Sequence, residues 1–279
     1  MLARLWWLLQ LLLPQFWLGN LMHGLADSTS PWIKQSMIRY WLFRYPIDMQ
    51  EAQRQHPDDY VSFTDFFTRT LKVEARPQPE DPQVLMSPVD GALLSFGNLG
   101  EGWLVQSKGQ LYSLSSLLGL SQKEAKRFHG CDYASFYLSP KDYHRVHMPL
   151  SGRLMFSSRL PGALYSVNKL SHTGIPRLLA RNRRCACVFS TESGEMAVVL
   201  VGALMVGAIK LAWEREPLEG RQDWDRRIQV DRDAEIGRFE LGSAVVLIAP
   251  PDYRMLEHLQ AGQSIRKGDA LAVFKAFSN

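Results

Sequence analysis

Three cysteines in 279 residues are too few for a disulfide framework, and the odd number suits a reducing compartment. No internal repeat stands out. The 20 Gly and 15 Pro sit in a chain that is 46% apolar, which excludes a collagen-like or disordered polymer and leaves material for one large core or two modest ones. No phosphate-cradling Gly loop and no Gly-x-Ser-x-Gly elbow occurs. Neither sign of charge dominates: the net charge is +4, a mild basic excess that permits contact with phosphate-bearing surfaces without specifying one. The N-terminal apolar stretch, residues 5–13, is interrupted by Gln10 and stopped by Pro14. It falls well short of the roughly 20 residues a spanning helix needs.

Aromatic residues are plentiful. Trp6 and Trp7 lie in that stretch and Trp17 follows it, and tryptophan favours the headgroup boundary of a membrane. The first expectation is a helix lying in the membrane surface. Two rivals are a signal peptide led by Arg4 and a helix packed on the protein's own core. Residues 30–45 have helical spacing, with Trp32, Ile33, Met37, Ile38 and Trp41, and Pro46 stops them. Ser62 caps a short aromatic segment, read as ordinary helix core. The Pro-rich run 76–82 marks a boundary. Beyond it, short apolar stretches alternate with Gly, Pro and Ser turns, with two short helices expected near 113–118 and 122–128. The expected fold is α+β: a mainly β catalytic body, 76–279, behind an N-terminal helical membrane-association region, 1–75. The charged stretch between Trp213 and Gly237 reads as a surface loop.

Three places carry residues of chemical interest. Asp90 lies in a Ser-Pro-Val-Asp-Gly turn, where Asp before Gly is ordinary turn chemistry. Residues 139–149 hold His144 and His147 beside Asp142, Tyr143 and Arg145. Histidines three apart could suggest a metal pair, but no further ligands accompany them, and acid–base chemistry suits them better. Gly242-Ser243 opens the apolar β-branched run 244–248, which reads as a buried strand. Arg177, Arg181, Arg183 and Arg184 form a basic cluster, either a solvated loop or an attraction for anionic lipid headgroups. Cys185 and Cys187 lack a second pair, so zinc is not expected.

Together these places resemble the short bacterial type of phosphatidylserine decarboxylase. The resemblance rests on PVDG at 88–91, YLSPKDYHRVHMP at 137–149, PGALYSVN at 161–168, VGALMVGAI at 201–209 and GRFELGSAVVL at 237–247. It runs over essentially the whole chain. The family pattern is Leu-Gly-Ser-Thr; this chain keeps Leu241, Gly242 and Ser243 and has Ala244 in place of Thr.

The resemblance implies an inactive precursor that cuts itself between Gly242 and Ser243. The products would be a β chain, 1–242, and an α chain, 243–279, which stay together as a heterodimer, with further dimerisation left open. It implies Asp90, His147 and Ser243 as the triad for that step, and a pyruvoyl group derived from Ser243 as the covalent cofactor. Phosphatidylserine would react as a Schiff base on that group, with His144 favoured as proton donor to the substrate. No metal and no nucleic acid are expected. The expected location is the cytoplasmic face of the bacterial cell membrane, held peripherally on the phospholipid surface. Two other readings stay open: a soluble Ser-His-Asp hydrolase and an inactive lipid-binding relative.

Overall fold

The computed structural model describes residues 10, 15–106, 110–204, 208–240 and 242–275. The stretch 5–13 expected to lie on a membrane, apart from Gln10, lies outside the described residues, as does Leu241. Gln10 is buried, with its Oε1 accepting from Ser166 N at 2.7 Å.

Helices open the described chain and strands dominate the rest, with short helices at Leu114–Leu118, Gln122–Ala125, Lys169–Gly174 and Leu178–Arg181 between them, an α+β architecture dominated by β structure. Helix α1 spans Gln15–Ala26 and α2 spans Pro31–Arg44, close to the range that helical spacing predicts. Pro31 occupies the first turn of α2, where its missing N–H costs nothing. A short helix α3, Phe63–Phe67, is capped by Ser62, whose Oγ accepts from Asp65 N at 3.1 Å. Its Phe63, Phe66 and Phe67 are buried, the core role expected of them.

Eight strands form the central sheet, and all their pairings are antiparallel. In chain order they are β1 (Gly91–Asn98), β2 (Asp132–Leu138), β3 (Gly152–Leu160), β4 (Arg184–Thr191), β5 (Gly194–Gly202), β6 (Gly220–Val230), β7 (Ser243–Ile248) and β8 (Ser264–Ile265). Across the sheet the order is β6-β3-β4-β5-β7-β2-β1-β8.

The alternation of side chains divides β7 between two cores. Ala244, Val246 and Ile248 join the core that includes Ile38, Phe63 and Phe66. Val245 and Leu247 join the opposite core with Val146, Ile236 and Phe239. A strand buried on both faces reads as an unbroken apolar run, which is why β7 is legible in the sequence.

Two expectations change. The charged stretch between Trp213 and Gly237 contains β6, an eleven-residue edge strand on β3, with an irregularity between Asp223 and Ile228. Charge on an edge strand discourages pairing with other chains, and it also hides the alternation that would have revealed the strand. Arg184 is buried on β4 and gives its guanidinium to the carbonyls of Leu117, Asn182 and Ser116, so it serves the fold rather than a lipid surface.

The turn after β8 reaches back to the Pro-rich segment. Gly268 has φ +93°, its N–H donates to Ser87 O at 3.0 Å, and a Cβ there would lie 2.5 Å from Pro77 O. Gly268→Ala is therefore expected to lose about 2 kcal/mol or more in denaturant unfolding. An unchanged midpoint would mean that this turn is not tightly packed.

Candidate functional site

Register places Ser243. As the first residue of β7 it pairs with Leu138, the last residue of β2, and with Gly202, the last of β5. The chain leaving Leu138 turns back at once, with the Asp142 carboxylate accepting from Ser139 N at 2.6 Å. That turn brings His144 over Ser243. The Ser243 hydroxyl is fully buried and lies 3.5 Å from His144 Nδ1. His144 Nε2 donates to Ser139 O at 3.0 Å, which leaves Nδ1 as an acceptor facing the hydroxyl. Phe67 stacks on the imidazole at 4.1 Å, so α3 forms one wall of the site. Trp41 Nε1 of α2 donates to Pro140 O at 3.0 Å and ties the helical region to the same turn. On the other side of the Gly242–Ser243 bond, Gly242 has φ +23°, in the region that favours glycine.

His147 lies on a short strand, Arg145–His147, paired with Glu235–Phe239. Its Nδ1 donates to Asp233 O at 2.6 Å, and Tyr143 OH donates to its Nε2 at 2.9 Å. Asp233 has φ +68°, unusual for a residue other than glycine, and this conformation accompanies the carbonyl that receives the imidazole. Its carboxylate accepts from Lys267 Nζ at 2.7 Å.

Asp90 is buried in the tight turn before β1. Arg76 grips its carboxylate through Nε and Nη2, the latter at 2.6 Å, and Lys267 N donates to it at 2.8 Å. Arg76 Nη2 also reaches Glu51 at 2.9 Å. The Pro-rich run supplies the cation that makes a buried carboxylate tolerable. Asp90 and His147 are neighbours through the backbone, since His147 N donates to Pro88 O at 2.9 Å.

Of the expected residues, the fold therefore brings His144 and Ser243 into contact and sets Asp90 and His147 on adjoining segments, each with other partners. Arg76, Tyr143, Asp233 and Lys267 complete the surroundings. Tyr143 lies inside the motif at 137–149; the other three come from distant segments with no sequence signal of their own. Among the described residues, no group of three or more His, Cys, Asp or Glu is placed to hold a metal ion.

The two imidazoles sit in different fields. Burial pushes His144 down to about 3, and the nearby Arg69 guanidinium adds to the shift. Burial also lowers His147, but the Asp233 carbonyl and the Asp233 and Glu235 carboxylates oppose it. His144 is thus held neutral, whereas His147 has partners that can stabilise a cation.

A family model described as phosphatidylserine decarboxylase matches residues 63–273, and a second, described as PSD, matches residues 5–46. Three similar proteins are each named phosphatidylserine decarboxylase proenzyme. That of Pseudomonas paraeruginosa is 43% identical over 98% of both chains. That of Bordetella pertussis is 43% identical over 95% of this chain and 92% of its own, and that of Ectopseudomonas mendocina 42% identical over 96% and 97%. A buried serine directly after a glycine at positive φ, with a neutral imidazole against its hydroxyl, is the geometry the fold presents here. This chain belongs to the phosphatidylserine decarboxylase family.

The buried imidazoles predict how stability follows pH. In the folded chain His144 takes a proton only near pH 3 and His172, lowered by burial, near 4, while an unfolded chain takes them near 6.5. Acid therefore favours unfolding: this contribution is complete above about pH 6.5 and is lost as pH falls towards 4 and 3. Each group changes stability by up to about 1.4 kcal/mol per pH unit in that window. Melting of an uncleavable Ser243→Ala chain should drop steadily below about pH 6.5; a flat profile to about pH 4.5 would contradict the burial of these rings.

Proposed function

We propose that this chain is the precursor of an enzyme that decarboxylates phosphatidylserine to phosphatidylethanolamine, and that it becomes active by cutting itself between Gly242 and Ser243. The observation that carries the reading is the placement of the Ser243 hydroxyl against His144 at the mouth of a doubly buried strand, directly after a glycine at positive φ. In the cutting step Ser243 Oγ attacks the Gly242 carbonyl carbon, and the amide becomes an ester as the nitrogen gains a proton. Loss of the Cα proton of residue 243 breaks the Oγ–Cβ bond. The chain ends at the Gly242 carboxylate, and dehydroalanine remains at 243. Water then enters, ammonia leaves, and a pyruvoyl group caps the 243–279 chain.

The position fits such a group: it is buried, it faces a neutral imidazole, and Gly202 on the neighbouring strand carries no side chain to crowd it. A pyruvoyl group at 243 supplies an electron sink for decarboxylation. His144 faces that position through an unprotonated Nδ1, so it can pass a proton to the substrate's α-carbon only after taking one up from the reacting groups.

Activating Ser243 requires a base that becomes a cation. Electrostatics favours His147 with Asp90: burial disfavours a cation at both imidazoles, but at His147 the Asp233 and Glu235 carboxylates oppose it, against Lys267, whereas at His144 the Arg69 guanidinium adds to it. This role requires Asp90 to leave Arg76 and His147 to leave both Tyr143 and the Asp233 carbonyl. A second reading gives the base to His144, favoured by its 3.5 Å contact. Electrophoresis of two variants decides between them: His147→Ala is expected to stay one chain and His144→Ala to cut, releasing little carbon dioxide from carboxyl-labelled phosphatidylserine. The reverse pattern would make His144 the base. Ser243→Ala is expected neither to cut nor to decarboxylate, and carbon dioxide release by that variant would overturn the function proposed here.

The cut chains would remain an α/β heterodimer, since β7 of the small chain is paired on both edges by strands of the large one. Residues 1–75 would associate with a bacterial membrane at its cytoplasmic face. No helix among the described residues is long and apolar enough to cross a membrane. Support for surface association comes from Trp32 and Phe43 of α2, 86% and 88% exposed, with Leu21 and Tyr40 also outward. The three buried free cysteines suit a reducing compartment. Substituting Ser for both Trp32 and Phe43 should weaken binding to anionic vesicles by about tenfold or more, as each buried aromatic contributes about 1.5–3 kcal/mol. Unchanged binding would remove α2 from the membrane contact.

A further inference from the structure

Glu240 stands two residues before the Gly242–Ser243 bond, and its side chain is only 6% exposed. Lys210 Nζ ion-pairs with one of its carboxylate oxygens, and His23 Nδ1 of α1 lies 3.7 Å from the other. Its backbone N–H donates to Ala208 O at 3.3 Å, and Phe239 N donates to His144 O at 3.0 Å. Phe239 and Glu240, upstream of the bond, are thus tethered. Downstream, Ser243 is fixed between Leu138 and Gly202. Only residues 241 and 242 bridge the two anchors.

The attack of a serine hydroxyl on the carbonyl immediately before it closes a five-membered ring. Its geometry is set by the dihedrals on either side of the scissile bond. Fixing both flanks selects those dihedrals in advance, and a misplacement of about 1 Å in such an arrangement can cost about 100-fold in rate. A buried carboxylate is a poor choice for stability alone, because an apolar side chain of similar volume often serves as well or better. A directional anchor gives it a purpose.

We infer that Glu240 is a positioning residue for self-cleavage: through Lys210 and through His23 it locks the upstream flank of the scissile bond, and it makes the seating of α1 part of the cutting geometry. The inference rests on the self-cleavage reading above. The test follows the appearance of the 243–279 chain after synthesis of the full chain, for wild type, Glu240→Gln, Lys210→Glu, His23→Ala and the charge-swapped pair Glu240→Lys with Lys210→Glu. Lys210 is 56% exposed, but its substitution leaves Glu240 buried without its cation, so the melting temperature of every variant is read beside its cutting rate.

Glu240→Gln and Lys210→Glu should each cut about tenfold or more slowly, His23→Ala should be slower than wild type, and the swapped pair should cut faster than Lys210→Glu alone. A merely structural role would slow cutting only in variants whose melting temperature also falls, whereas a positioning role slows cutting in chains that melt as wild type does. Lys210→Glu cutting at the wild-type rate, or the swapped pair no faster than Lys210→Glu, would overturn the inference. A wild-type chain that never cuts would instead overturn the reading on which it rests.

Discussion

Burial of β7 on both faces and pairing on both edges is the constraint on which the site depends. A strand held in four directions cannot slip by one residue without exchanging its two apolar faces and breaking two ladders at once. Ser243 is its first residue, so the serine inherits that fixity. The same ladder places Leu138 opposite Ser243, and the chain leaving Leu138 must turn back over the serine, carrying both histidines.

The catalytic chemistry then depends on how differently the surroundings treat two identical side chains. His144 is pressed between Phe67 and the interior, with Arg69 nearby, and stays neutral. His147 lies among Asp233, Glu235 and Tyr143, with Asp90 on the adjoining turn held by Arg76. One environment keeps the imidazole neutral against the Ser243 hydroxyl; the other surrounds it with carboxylates, the feature on which the proposed base role rests. Arg76 holds the Asp90 carboxylate, so the proposed pairing of Asp90 with His147 would require release of that ion pair.

The sequence makes local features legible where one physical signal dominates. The apolar β-branched run 244–248 reads as a buried strand, the spacing in 30–45 marks α2, and Ser62 signals the start of α3. Asp90, His144, His147 and Ser243 stand out by residue type and motif. Their partners do not: Arg76 lies in a Pro-rich segment, Lys267 in a turn and Asp233 in a charged stretch, and only long-range folding brings them to the site. Strand β6 escapes notice because its charged edge hides the alternation. Arg184 looks like part of a lipid-facing cluster because sequence does not reveal that three carbonyls surround it.

The central claim is covalent, so the intact mass of the purified protein under denaturing conditions tests it most directly. Acyl shift and elimination add no atoms, and the last step exchanges one ammonia for one water. Two polypeptides are predicted, parted between Gly242 and Ser243, whose masses sum to that of the uncut chain plus only the difference between water and ammonia, with no free amine on the smaller one. A single uncut chain that decarboxylates phosphatidylserine, or fragments that sum to the uncut chain plus a whole water with a free Ser243 amine, would contradict the account.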